Sequence, residues 1–138
     1  MNINLPVSKI MTTELITVAE TDTLERIKPL IKRRSVHHLP VEDEDGQLLG
    51  IISSEDFARS NYYPIPEDKL LARHIMTVSV ESVNHRSTIG EVLEKFLTNR
   101  YRALPVLDDD QILVGIVTPF DLMQLLSAHL ETERMDGK

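Results

Sequence analysis

A chain of 138 residues with no cysteine holds no disulfide, thiolate metal centre or thiol nucleophile, yet it is long enough to bury about 70% of its unfolded surface. A formal charge of −7 opposes a broad phosphate-backbone footprint, so nucleic acid is not an expected partner; local basic clusters at Lys32-Arg33-Arg34 and around Arg100 and Arg102 suit small anionic ligands instead. No apolar run approaches the roughly 20 residues that span a bilayer, and the first residues lack a basic stretch leading into an apolar one, so no membrane association and a cytoplasmic location are expected.

Taken in order, Val7 to Met11 reads as a short helical turn and Leu15 to Val18 as an extended, β-branched segment. A helix follows, signalled by Asp22 and Glu25 at capping-box spacing, with Leu24, Ile27, Leu30 and Ile31 on one face as candidate core. Pro29 lies inside it, at a cost of about 3 kcal/mol in a regular helix, which predicts a kink or an irregular turn. Next comes a hairpin, His37 to Glu42 and Gln47 to Ser53, around the turn Asp43-Glu44-Asp45-Gly46. A short helix from Glu55 to about Asn61 is cut off by Tyr62-Tyr63-Pro64-Ile65-Pro66, which reads as a linker.

The same order then begins again. Ala72 to Met76 is a helical turn, Val78 to Val83 is extended, and Thr88 with Glu91 starts a helix whose buried face is Ile89, Val92, Leu93 and Phe96. The second hairpin must turn at Asp108-Asp109-Asp110 without glycine, which predicts a longer loop or an aspartate in the left-handed region. The last helix starts at Pro119 and continues through Leu122, Met123, Leu125, Leu126 and Leu130 to about Met135, its leucine face a candidate docking surface for another chain. An offset of 65 residues maps Ile10-Met11-Thr12 on Ile75-Met76-Thr77, Leu39-Pro40-Val41 on Leu104-Pro105-Val106, Gly50-Ile51 on Gly115-Ile116 and Asp56 on Asp121, with no gap. Loops normally accumulate insertions, so an unbroken register marks one structural unit used twice. The expected division is a first repeat over 1–61, a linker over 62–69 and a second repeat over 70–138.

The duplicated stretches Gly50–Asp56 (GIISSED) and Gly115–Asp121 (GIVTPFD) carry the candidate chemistry. In each, a strand runs into a helix with Ser53 or Thr118 as its cap and Asp56 or Asp121 in its first turn. A carboxylate beside fresh backbone N–H donors can hold a sugar diol and a phosphate; the plainer alternative is a helix cap worth about 1 kcal/mol. His37 and His38 are neighbours on a strand and point to opposite faces, and His74, His85 and His129 are scattered, so no metal site is expected. No nucleophile elbow, phosphate-binding loop or dinucleotide fingerprint is present, which points to a binding protein and not an enzyme.

With this duplicated β-α-β-β-α order, the Leu-Pro-Val strand and the glycine-to-aspartate stretch, the chain resembles a tandem pair of CBS domains, the Bateman module. The resemblance implies an α+β fold of two CBS-type repeats packed through their sheets about a pseudo-twofold axis, with clefts between them and further association into a homodimer. It implies that the clefts take an adenine nucleotide (AMP, ADP or ATP) or S-adenosylmethionine as a regulatory ligand, with no cofactor required. Carried over residue by residue, Asp56 and Asp121 would hold ribose hydroxyls and Ser53 and Thr118 would sit near the phosphate. His37 and His38 in the first repeat, and Arg102 with Arg100 in the second, would contact the phosphate; Ile16, Thr17 and Val18, and Ser82 and Val83, would line the base. The output would be a conformational or oligomeric change that acts in trans on a regulated protein. The alternative is a constitutive dimerisation scaffold with empty clefts.

Overall fold

A computed structural model describes residues 1–34 and 36–136, the side chains of Arg33 and Arg34 excepted, so of the basic cluster expected there only Lys32, which is exposed, has a described side chain. After a 3-10 turn at Val7–Lys9, the elements are α1 (Leu24–Arg34), β1 (His38–Glu42), β2 (Leu48–Ser53), α2 (Ser54–Ser60), α3 (Ala72–Ile75), β3 (Val83–Asn84), α4 (Ile89–Asn99), β4 (Leu104–Leu107), β5 (Leu113–Val117) and α5 (Pro119–Asp136). The chain forms two compact units. A central unit comprises Ile16–Glu81 with Gln111–Leu113, and a terminal unit comprises Met1–Leu15, Ser82–Asp110 and Val114–Lys138. None of the helices among the described residues is long and apolar enough to cross a membrane.

In the central unit β1 and β2 form an antiparallel hairpin with Pro40 opposite Ile51. Val18 adds a parallel bridge to Val41, its N–H donating to the Pro40 carbonyl at 3.1 Å and its carbonyl accepting from Glu42 N–H at 3.0 Å. The apolar faces of these strands and of α1 bury Leu24, Ile27, Leu39, Val41 and Ile52, joined by Leu70 and Ile75. The cap of α1 is Thr23 and not Asp22: the Thr23 hydroxyl accepts from Arg26 N–H at 3.4 Å, while Asp22 accepts from Ala19 N–H at 2.9 Å. An N-cap must meet the N–H three residues on, and the helix starts at Leu24, which leaves Asp22 one residue too early. Helix α1 runs unbroken through Pro29 to Arg34, so no irregular turn forms there. Leu30 is 36% exposed and stands off the buried face. The hairpin turns as expected through Gly46, whose φ of 82° is open to glycine without steric cost.

In the terminal unit β3, β4 and β5 form a three-stranded sheet in that order, β3 and β4 parallel with Val83 opposite Val106. Val7, Val83, Val92, Phe96, Leu104, Val106 and Val117 make its core. Thr88 caps α4 by accepting from Glu91 N–H at 3.1 Å. The second hairpin turns with Gln111 at φ 68°, in place of the expected aspartate; it is the position that matches Gly46 at the 65-residue offset. Pro119 opens α5, which carries no fully buried residue and exposes Phe120, Met123, Leu126 and Leu130.

Each unit also contains a Met-Thr segment from the opposite end of the repeat pattern. In the central unit Thr77 N–H donates to the Ile51 carbonyl at 2.8 Å and Ile51 N–H to the Thr77 carbonyl at 3.0 Å. In the terminal unit Thr12 and Ile116 exchange the same pair at 2.8 and 3.0 Å. This close approach requires glycine beside it: a Cβ on Gly50 would stand 2.7 Å from the Thr77 carbonyl oxygen, and one on Gly115 would stand 2.5 Å from Met11 Sδ.

Candidate functional site

The β2–α2 junction of the central unit is a reciprocal capping box. Asp56 N–H donates to Ser53 Oγ at 3.2 Å and Ser53 N–H donates to Asp56 Oδ2 at 2.9 Å, which fixes the carboxylate at the strand end. Asp56 is only 3% exposed. It is a buried charge and therefore needs partners, which come from two residues that local sequence reasoning missed. Thr77 Oγ1 lies 3.3 Å from Oδ1 and 3.2 Å from Oδ2, and the Arg59 guanidinium is paired with Oδ1. The repeated Met-Thr pair was the sequence signal that could have pointed to Thr77.

His37 is exposed next to this junction: its carbonyl accepts from Ser54 N–H at 3.1 Å, and its Nδ1 is 3.5 Å from Ser54 Oγ. His38 begins β1 and is half-buried. Thr17 turns to Glu42, donating to Oε1 at 2.8 Å. Val18 is a core side chain whose N–H and carbonyl both engage the sheet, while Ile16 near it is half-buried.

The β5–α5 junction of the terminal unit has the same plan with a different hydrogen-bond pattern. Thr118 N–H donates to Asp121 Oδ2 at 2.8 Å and Thr118 Oγ1 lies 3.3 Å from the same oxygen. Asp121 is half-buried, and its Oδ1 has no donor among the described residues. Arg102 is exposed just ahead of β4. Arg100 closes α4 in the left-handed conformation, φ 54°, with its N–H on the Phe96 carbonyl at 3.1 Å, a place more often taken by glycine. Ser82 precedes β3, and Val83 belongs to the core.

Two cavities and one ionic cluster lie apart from these junctions. A cavity of about 540 Å³ in the central unit is lined by carboxylates including Glu20, Asp22, Glu42 and Asp43, and by none of His37, Ser53 or Asp56. Such a lining repels an anion, and its carboxylates already serve the fold: Asp43 Oδ1 accepts from Asp45 N–H and Gln47 N–H, both at 2.9 Å. An apolar cavity of about 340 Å³ in the terminal unit is lined by residues such as Ile3, Phe96, Leu122 and Leu126. On the β3 side Asp109 is bonded by Asn84 Nδ2 at 3.1 Å and paired with Arg86 at 2.7 Å, and these contacts, Asn84 first, hold its carboxyl below the usual carboxylate range. Among the described residues no three metal-ligating side chains converge.

The chain is similar to several known proteins. A CBS domain-containing protein of Dictyostelium discoideum is 33% identical over 135 residues, which cover 91% of this chain and 93% of that one. The homoserine O-acetyltransferase of Methanosarcina acetivorans is 34% identical over 125 residues; the match covers 89% of this chain and spans 22% of that enzyme's length. Among solved structures, the CBS domain pair of protein MJ0100, in complex with 5′-methylthioadenosine and S-adenosyl-L-methionine, superimposes with a TM-score of 0.78 at 29% identity, covering 93% of this chain and 99% of that one. The CBS domain model matches twice, at residues 7–62 and 72–128, once in each repeat. By fold, by repeat and by the match of both segments, the chain belongs to the CBS domain family, as a tandem CBS domain pair.

Proposed function

We propose that this CBS pair is a regulatory sensor that binds an adenine nucleotide or another adenosyl compound, such as AMP, ADP, ATP or S-adenosylmethionine, and passes its occupancy to a protein partner in the cytoplasm. The observation that carries this reading is a carboxylate oriented by its own strand-end N–H in both units, Ser53 to Asp56 at 2.9 Å and Thr118 to Asp121 at 2.8 Å. A carboxylate fixed in this way accepts from both hydroxyls of a ribose. It would discriminate against a deoxy analogue, because a partner left unsatisfied costs about 1–3 kcal/mol. Arg102 and His37 are exposed cations or potential cations for a phosphate. The adenosyl ligands of the MJ0100 pair support the same ligand class.

The ligand can move the protein only by as much as it prefers one conformation or assembly over another. The exposed apolar side chains of α5, Phe120, Met123, Leu126 and Leu130, support self-association as the element that is biased. They also favour a second reading, a constitutive homodimeric scaffold that binds no nucleotide.

A thermal-shift titration with AMP, ADP, ATP, S-adenosylmethionine, NAD and deoxyadenosine monophosphate separates the two. A ligand at 100 times its dissociation constant adds about 2.7 kcal/mol, which raises the midpoint by several degrees. The sensor reading expects a shift with one ribonucleoside compound, weakened in the deoxy form and in Asp121→Ala. No shift with any of them at millimolar concentration would leave the scaffold.

A further inference from the structure

The two candidate acceptors occupy equivalent positions 65 residues apart, yet they are not in equivalent states. Asp56 is buried, and its carboxylate already meets three donors: Ser53 N–H at Oδ2, the Thr77 hydroxyl across both oxygens, and the Arg59 guanidinium at Oδ1. A carboxylate offers about four acceptor sites. A ribose diol brings two more donors, so it cannot be taken up in full unless Arg59 or Thr77 leaves. At Asp121, by contrast, both contacts fall on Oδ2, and both come from Thr118. The position matching Arg59 is Gln124, which is exposed and has no charge to offer. Thr12 matches Thr77 and keeps the same backbone pairing, but among the described residues its hydroxyl makes no bond to Asp121.

We infer that Arg59 and Thr77 form an internal gate on Asp56, so that an adenosyl ligand is taken up at Asp121 first and reaches Asp56 only by displacing donors that belong to the chain. The inference rests on the adenosyl reading above. Arg59 is suited to the part because its side chain is 66% exposed while the carboxylate it covers is 2% exposed: the guanidinium can swing into water, whereas the acid cannot be left there unpaired without cost. Arg59 and Asp56 lie three residues apart in one short helix, so the Arg59 half of the gate opens by a rotamer change, while Thr77, outside that helix, must turn its hydroxyl off the carboxylate as well.

Isothermal titration with AMP tests the gate. The wild type should bind one equivalent per chain, and Asp121→Asn should abolish it. Arg59→Gln should tighten uptake at Asp56 about fivefold, the scale of one ion pair whose cation stands in water. The double variant Arg59→Gln/Thr77→Val should add a second equivalent, and it should do so in the Asp121→Asn background and lose it again with Asp56→Asn. Arg59→Lys keeps the charge and should behave as the wild type. Two equivalents of equal affinity in the wild type, or a double variant that keeps binding at Asp121 and gains nothing at Asp56, would overturn the gate while sparing the adenosyl reading. Absence of AMP binding in every variant, with ADP, ATP and S-adenosylmethionine equally silent, would overturn both.

Discussion

Replacing Gly50 by alanine tests the join between the Met76-Thr77 segment and β2. The added methyl would stand 2.7 Å from the Thr77 carbonyl oxygen, 2.9 Å from Met76 Sδ and 3.1 Å from Met76 Cγ. A side chain can turn aside, but the carbonyl cannot: it accepts from Ile51 N–H at 3.0 Å, and Thr77 N–H donates back at 2.8 Å. Moving the segment out therefore weakens two hydrogen bonds, about 1 kcal/mol each, and adds the strain of overpacking, about 1–3 kcal/mol. The sum, about 3–5 kcal/mol, corresponds at this chain length to a fall in melting temperature of about 9–20 °C. Calorimetry or thermal circular dichroism reads it directly. Gly115→Ala provides the contrast, because there the nearest atoms are Met11 Sδ at 2.5 Å and Cγ at 2.8 Å, with the Thr12 carbonyl farther at 3.1 Å. Met11→Ala should rescue much of the Gly115→Ala loss, whereas Met76→Ala should rescue little of the Gly50→Ala loss. A Gly50→Ala protein that melts within 2 °C of the wild type, or one fully restored by Met76→Ala, would refute the role given to the Thr77 carbonyl.

Two further predictions concern single positions in the second hairpin. Gln111 holds φ 68° without the freedom of glycine, so Gln111→Gly should stabilise the protein by about 0.5–1 kcal/mol in urea denaturation; a destabilised variant would mean that the Gln111 side chain matters more than its backbone. The Asp109 carboxyl, held down first by Asn84 and then by Arg86 and His85, should titrate below an ordinary aspartate in an NMR pH series, and Asn84→Ala should raise it. Because the folded value is depressed, the stabilisation is present above the ordinary aspartate pKa and fades as pH falls through the folded one. An unchanged titration in Asn84→Ala would remove that hydrogen bond as the main cause.

Much of the local plan was legible because it depends on residues three or four apart. Thr88 caps α4 at Glu91 N–H, Pro119 opens α5, Gly46 turns the first hairpin, and Ser53 and Asp56 close a capping box, all from signals within one turn of chain. Where local signals competed, the sequence was ambiguous. Asp22 and Thr23 are both good caps, and the start of α1 at Leu24 selected Thr23. Three consecutive aspartates suggested an aspartate in the left-handed turn, but the hairpin register put Gln111 there. Pro29 was absorbed into a continuous helix, with packing of Leu24 and Ile27 on the core offsetting a poor local choice.

The amino-acid order alone determined that one unit occurs twice, because an ungapped 65-residue register with the same caps and strand alternation can encode only a repeated fold. It could not determine which Met-Thr segment pairs with which Gly-Ile strand. The two copies carry the same local signals, so the choice rests on hydrogen bonds between residues far apart in the chain, Thr77 to Ile51 and Thr12 to Ile116. The tertiary structure made that choice, joining Met1–Leu15 with Ser82–Asp110 in one unit and Met76-Thr77 with β2 in the other. In doing so it brought Thr77 onto Asp56 and left Thr12 off Asp121, a difference between two like carboxylates that no periodicity or motif contains.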